Sequence, residues 1–355
     1  MEIEKIDANF RLKDKVCVDG EWKSYEIPHS AFSLYGVSYD ETEKRFVRMD
    51  TSIAEQISKT VGELACYTAG GRLRFSTDSS CLRIVVSYNF LCMMEHMPLT
   101  GSSGFSLFEE TDEGEIFIKN LCPSFGDMHG FSSEATLKGG MLRNYILYFP
   151  LYNEVKSLSI ALDKNACVGK GKVYRDILPI LYYGSSITQG GCASRPDNAY
   201  QALIAKWNHI DYINLGFSGS AKAEKEMAEY LAKVECSLFV CDYDHNATTV
   251  DFLQDTHYPL YKSYREKRPN TPILFLSKPD VKRDLDGEKR LRIIRKTYER
   301  AKKEGDENVY FLSGKSFYGK ENCWDFSVDG CHPTDFGFYQ MAKRIHAFIS
   351  KNIFK

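Results

Sequence analysis

The stretch Ile177-Leu178-Pro179-Ile180-Leu181-Tyr182-Tyr183-Gly184-Ser185-Ser186-Ile187-Thr188-Gln189-Gly190-Gly191 decides the fold. Residues 177–183 are strongly apolar, as a strand buried in a parallel sheet must be. The small residues that follow let the chain turn sharply from strand to helix. Four more short apolar runs come later, at 212–215, 237–243, 272–277 and 309–312, with helical patterns at 198–208, 221–234, 250–267, 289–304 and 336–349. In the last of these, Phe338, Met341, Ala342, Ile345 and Phe348 recur at helical spacing, so one face should dock on the sheet. Strands alternating with helices in this way predict a flavodoxin-like α/β/α sandwich built on a five-stranded parallel sheet.

Upstream of residue 177 the pattern changes. From about residue 5 to 170 the signals have period two, and no long helical pattern interrupts them. Arg72 to Phe75 alternates, residues 76–80 are turn formers, and Leu82, Ile84, Val86 and Tyr88 resume the alternation, which predicts a β-hairpin. Runs at 115–119, 144–151 and 155–162 predict further strands, and together they suggest an antiparallel, jelly-roll-like β-sandwich. The change falls near 169–175, giving domains 1–174 and 175–355. A length of 355 residues suits two units at ~150 residues per domain.

Composition narrows the function. With 43% hydrophobic and 26% charged residues the chain can bury large cores, which excludes disorder and fibres. A net charge of −2 provides no basic field to hold a polyanion, so nucleic acid is not expected as a partner. Eleven cysteines form no Cys-x-x-Cys pair and are odd in number, which argues for scattered thiols rather than a disulfide framework or structural zinc. Residues 1–15 alternate acids and bases without an apolar segment, and no apolar run approaches ~18 residues. A cytoplasmic protein with no membrane partner is the expectation, its oligomeric state open.

Ligands of open parallel sheets sit beyond the carboxyl ends of the strands. There the first loop, residues 184–191, exposes a Ser hydroxyl beside backbone N–H groups able to hold an oxyanion, although a structural turn or a phosphate cradle fits the same residues. The phosphate-loop pattern itself is absent. The second loop, Gly216-Phe217-Ser218-Gly219-Ser220, is again small, and the third, Asp242 to Ala247, is polar, with Asn246 able to offer an amide donor. Asp244 beside His245 suggests a metal pair, but adjacent residues on an extended chain point to opposite sides and no His-rich partner exists, so neither metal nor cofactor is expected. Asp329-Gly330-Cys331-His332 lets a carboxylate orient an imidazole toward a Ser hydroxyl. His332 could equally be a cap or packing residue, and Asp335 a carboxylate at a helix start. Arg195, Tyr200, Tyr243 and Trp324 lie next to these blocks and are candidate walls of a substrate pocket.

Taken together, these four blocks resemble the SGNH, or GDSL, hydrolases, serine esterases on a flavodoxin-like sheet. The resemblance covers residues 177–353 and implies Ser186 as nucleophile, His332 as general base and Asp329 as its supporting carboxylate. It implies an oxyanion hole made of the N–H groups of Ser186 and Gly219 and the side-chain amide of Asn246. Two departures stand out. The usual Gly-Asp-Ser is Gly184-Ser185-Ser186, which raises Ser185 as an alternative nucleophile. The usual Gly-x-Asn-Asp is Asp244-His245-Asn246-Ala247, which removes a carboxylate that ties down the loop. The N-terminal half resembles the sandwich preceding the GxDLY branch of these esterases, its signature modified to Gly104-Phe105-Ser106-Leu107-Phe108, with residues 68–75 fitting the same module. Trp22, Tyr25, Phe32 and Tyr35 could stack on sugars, but filling the sandwich core is the expectation.

The resemblance implies a serine esterase that removes short acyl groups, acetyl foremost, from carbohydrate hydroxyls. The alternatives are a lipid, thioester or peptidoglycan acylhydrolase on the same site, or an inactive carbohydrate-binding protein.

Overall fold

The computed structural model describes residues 3–7, 21–279, 285–319 and 323–354. Cys17 and most of the 1–15 stretch lie outside the described residues.

The N-terminal half is an antiparallel β-sandwich. One sheet runs in the order Trp22–Ile27, Ser157–Asp163, Cys81–Ser87, Gly130–Thr136. The other runs Val168–Lys170, Arg72–Thr77, Arg143–Tyr148, Phe105–Glu110, Glu115–Leu121, and Ser33–Tyr35 also pairs with Arg72–Thr77. Every second residue points inward, so Leu73, Phe75, Leu107 and Leu147 meet Leu82, Ile84, Leu158 and Ile160 in one core. Each such side chain contributes about 1.5–3 kcal/mol by leaving water. Tyr25 and Phe32 are buried in this core too, whereas Trp22 is half-buried under the Arg83 guanidinium.

Two features differ from the sequence reading. Residues 72–77 and 81–87 do not form a hairpin, because they belong to opposite sheets. Their turn, closed by Ser79 N–H donating to Thr77 Oγ1 and Ser79 Oγ–H donating to the Cys81 carbonyl, carries the chain across the sandwich. Alternation marks an inward face in either arrangement, so it cannot tell a hairpin from a crossing. Among the described residues this half also contains four short helices, two of which, Thr51–Ile57 and Lys59–Ala65, are capped by the Asp50 and Ser58 side chains.

The C-terminal half carries five parallel strands, β1 (Ile180–Gly184), β2 (Tyr212–Gly216), β3 (Leu238–Asp242), β4 (Ile273–Leu276) and β5 (Val309–Leu312), in the order β2-β1-β3-β4-β5. The helices are α1 (Ser186–Gln189), α2 (Tyr200–Asn208), α3 (Lys225–Lys233), α4 (Val250–Lys267), α5 (Gly287–Lys303) and α6 (Asp335–Asn352). Both faces of the sheet are covered. Ile180, Tyr182, Leu238 and Val240 pack with α2, α6 and the sandwich residues Ile146, Tyr148 and Leu151. Leu181, Tyr183, Phe239 and Cys241 pack with α3, α4, α5 and with Ala54, Val61 and Leu64 of the two capped short helices. On α6 the docked face is Phe338, Met341, Ala342, Ile345 and Ile349, while Phe348 is only partly buried, against Tyr310. Among the described residues no helix is long and apolar enough to cross a membrane, and no disulfide joins the cysteines whose side chains are described.

Candidate active site

The strand order reverses beside β1, and the loops that follow β1, β2 and β3 converge at this switch point. Gly184 ends β1 where a side chain could not fit, since a Cβ would lie 2.2 Å from both the Asp242 carbonyl and Thr188 Oγ1. The chain then turns into α1. Ser185 is fully buried and its Oγ caps the helix by accepting from Ile187 N–H at 3.2 Å. Ser186, half-buried, is the hydroxyl left facing outward.

Its Oγ lies 2.8 Å from His332 Nε2, and His332 Nδ1 lies 2.7 Å from Asp329 Oδ2. The second Asp329 oxygen accepts from the N–H groups of His332 (2.8 Å) and Cys331 (2.9 Å), a turn made possible by Gly330 at φ 86°. Partial burial pushes the Asp329 carboxyl up, but the His332 ring and these two N–H groups outweigh it and hold the acid down at about 2. An ionised carboxylate accepting from Nδ1 leaves Nε2 as the acceptor toward a hydroxyl. The His332 loop is itself fixed. Val328 N–H donates to the His332 carbonyl, Thr334 caps α6, and Asp335 accepts from the Ser194 N–H and hydroxyl. Asp335 thus ties the end of the first loop to the start of the last helix.

The three candidate oxyanion donors come from interlocked loops. Ser186 opens α1, so its N–H belongs to the first turn, which has no intrahelical acceptor. Gly219 adopts φ 68° with open space where a side chain would stand. Asn246 Nδ2 donates one hydrogen to the Phe217 carbonyl at 2.8 Å, which leaves its second N–H to point elsewhere. Gln189, fully buried, accepts from Ser218 N–H and donates to the Leu151 carbonyl, joining the second loop to the sandwich. Asp244 replaces the tie lost at Ala247: its carboxylate accepts from Lys278 N–H and pairs with His245 Nδ1 at 2.9 Å. The chain here is turned rather than extended, so Asp244 and His245 meet instead of pointing apart, contrary to the sequence expectation.

Two of the four candidate pocket walls are buried in the core, and a third is held by other partners. Tyr200 is fully buried against Tyr182, its hydroxyl 3.4 Å from Thr188 Oγ1. Tyr243 continues the inward alternation of Phe239 and Cys241 and stacks on His257. Arg195 is committed to Asp197, Asn198 and the ring faces of Phe108 and Phe117. Trp324 is 62% exposed, in the turn that leads to Asp329 and His332.

The sandwich supplies residues that the sequence did not single out. Tyr152 Oη lies 3.4 Å from both the Ser186 carbonyl and Ser218 Oγ. Arg48, entirely buried, donates to the carbonyls of Leu64, Tyr67, Asn214 and Gly216 and covers the Phe217 ring, so it anchors the start of the second loop. Burial pulls its guanidinium down to about 10, still charged at neutral pH. The ring centroid of His96 lies 6.0 Å from that of His332. No local pattern marks these three, because the contacts that bring them here join distant parts of the sequence: Tyr152 lies 34 residues from Ser186 and Arg48 lies 168 from Gly216.

Similarity to known proteins agrees with this arrangement. The GDSL-like lipase/acylhydrolase family matches residues 178–350, and the GxDLY family, the N-terminus of SGNH-hydrolase-type esterases, matches residues 22–168. No match was found among curated protein sequences. Among solved structures, one described as a GDSL-like lipase from Bacteroides ovatus is 27% identical, with a TM-score of 0.84 over 93% of this chain and 98% of that one. A salicylyl-acyltransferase from a tetracycline biosynthetic pathway is 18% identical, with a TM-score of 0.77 over 93% and 97%. An acetyl xylan esterase from Butyrivibrio proteoclasticus is 13% identical, with a TM-score of 0.62 over 93% and 98%. The chain therefore belongs to the GDSL-like lipase/acylhydrolases, a family of carboxylic ester hydrolases, and carries the GxDLY N-terminal domain ahead of the hydrolase fold.

Proposed function

We propose that this enzyme is a serine esterase that removes short acyl groups, acetyl foremost, from carbohydrate hydroxyls. The observation that carries the reading is the unbroken line from Ser186 Oγ to His332 Nε2 and from His332 Nδ1 to Asp329. Ser186 Oγ attacks the ester carbonyl while His332 takes its proton, and Asp329 holds the imidazole in the required tautomer. The negative oxygen that forms is met by the N–H groups of Ser186 and Gly219 and the amide of Asn246. As the intermediate collapses, His332 returns the proton to the leaving alcohol, and water then releases the acyl group from Ser186 by the same route.

The carbohydrate part rests on less. The acetyl xylan esterase shares the fold, and the approach to His332 exposes Trp324 and Phe336, aromatic faces suited to sugar rings. The decisive experiment measures acetate release from a panel of acetylated oligosaccharides beside p-nitrophenyl acetate. Ser186→Ala should lower the rate by a factor on the order of 10⁴ or more while leaving the fold intact. Full activity in that variant overturns the nucleophile. Preference for long acyl chains points to a lipid acylhydrolase instead, and sugar binding without labelling by a serine-reactive phosphonate points to an inactive binding protein.

A further inference from the structure

Three metal-ligating side chains from separate segments meet beside the Ser186–His332 pair. They are His96, in the turn of the sandwich bridged by Met94 and Met97, Cys192, in the first loop, and His332 itself. One ligating atom from each lies within 4.8 Å of the other two. Cys192 is 5% exposed and has φ 74°, a left-handed value rare for a residue with a Cβ, so the loop holds its thiol beside the histidines against a backbone preference. The tie between Ser194 and Asp335 keeps that loop in place. His96 is exposed and is the member able to swing.

A thiolate with two imidazoles is a donor set that selects Zn²⁺ and similar soft or borderline cations over Ca²⁺ and Mg²⁺, which take oxygen ligands. We infer that His96, Cys192 and His332 form an inhibitory site for a divalent cation of the Zn²⁺ class, which shuts the esterase by occupying its base. Binding breaks the Cys192 S–H bond, forms a metal–sulfur bond and releases the proton to solvent. At His332 the metal takes a ring nitrogen lone pair. At Nε2 it displaces the Ser186 hydroxyl, and at Nδ1 it displaces Asp329, so either mode removes the proton acceptor. The inhibitory consequence rests on His332 being the general base, whereas the binding itself does not.

The test titrates ZnCl₂ against two readouts. In p-nitrophenyl acetate hydrolysis, wild-type enzyme should be inhibited, while His96→Ala should keep its metal-free rate and need at least about tenfold more Zn²⁺ for half-inhibition, the effect of losing about 1.4 kcal/mol of ligand binding. In calorimetry, Ser186→Ala should bind one Zn²⁺ per chain, and adding His96→Ala or Cys192→Ser to it should weaken that binding by a similar factor. Equal Zn²⁺ sensitivity of wild type and His96→Ala, or no one-to-one binding to Ser186→Ala, overturns the site. Zinc binding in a protein devoid of esterase activity keeps the site and instead overturns the catalytic reading on which the inhibition depends.

Discussion

Asp329 and His332 form a pair at the open edge of the parallel sheet, and Asp244 and His245 form a second pair in the loop after β3. Both bonds are short, 2.7 and 2.9 Å. In both, burial pushes the carboxyl up and other contacts pull it down further, so each acid is held below its ordinary range. At Asp329 these contacts are hydrogen bonds from the His332 ring and two backbone N–H groups. At Asp244 they are electrostatic attraction to His245 and hydrogen bonds from its ring and from Lys278 N–H. Ionisation therefore does not distinguish them. The difference lies at the far nitrogen: His332 Nε2 meets the Ser186 hydroxyl, whereas His245 Nε2 is buried with no hydrogen-bond partner among the described residues. An acid–histidine pair becomes a base only when its outer nitrogen faces a reacting group. Otherwise it is a fastening.

The largest effect should come from breaking the outer pair. Asp329→Asn should lower kcat by about 10³–10⁴-fold, because an amide no longer fixes the tautomer that leaves Nε2 as acceptor. Thermal unfolding should move little, since Asp329 is partly exposed. With the folded carboxyl near 2, below its ordinary value of 3.8, any stabilisation from Asp329 is present above about pH 4 and is lost only as pH falls toward 2. A variant with near-normal kcat sinks the assignment of Asp329 as orienter.

Next comes the oxyanion amide. Asn246→Ala should cost about 10²-fold in kcat with a much smaller change in KM, the pattern of an interaction made in the transition state. Loss confined to KM would mean that Asn246 binds substrate, or only holds Phe217, and does not stabilise developing charge.

For the inner pair the expectation reverses. Asp244→Ala strands the Lys278 N–H and the His245 ring in a buried site and should destabilise the fold by about 3 kcal/mol, read as a lower urea midpoint. The kcat per folded molecule should fall far less than in Asp329→Asn. A stable but inactive Asp244→Ala protein would erase the distinction between the two pairs.

How much of this was legible follows from what is local. The five parallel strands are continuous apolar runs, and each chemical block sits directly after a strand or before a helix, so position along the chain also gave position at the sheet edge. Tyr243 misled because it looks like the first loop residue, yet its alternation with Phe239 and Cys241 carries it into the core. Tyr200, in the first turn of α2, is likewise drawn inward by Tyr182. The crossing of residues 72–87 between sheets, the anchoring by Arg48 and the approach of Tyr152 and His96 all depend on contacts distant in sequence. Residue spacing carries no record of such contacts.

A third acid at this edge offers the finest test. Asp242 ends β3, accepts weakly from Thr188 and leaves Oδ1 buried without a partner among the described residues. Burial pushes its carboxyl up to about 7, with the Asp244 charge adding to the rise and His245 and Thr188 opposing it. A folded value above the ordinary 3.8 means that the native state binds the extra proton between the two values, so this group's contribution to stability declines as pH rises from about 4 to about 7. Asn cannot ionise. The stability of Asp242→Asn relative to wild type, measured by urea unfolding at about pH 5 and pH 8, should therefore improve at the higher pH, by an amount smaller than the Asp244→Ala loss. Parallel pH dependence of the two proteins would mean that Asp242 keeps one protonation state throughout. In that case the acid behind Ser186 would be held as firmly as Asp244, and the edge would lose its gradient from charged, orienting carboxylate to neutral, packed one.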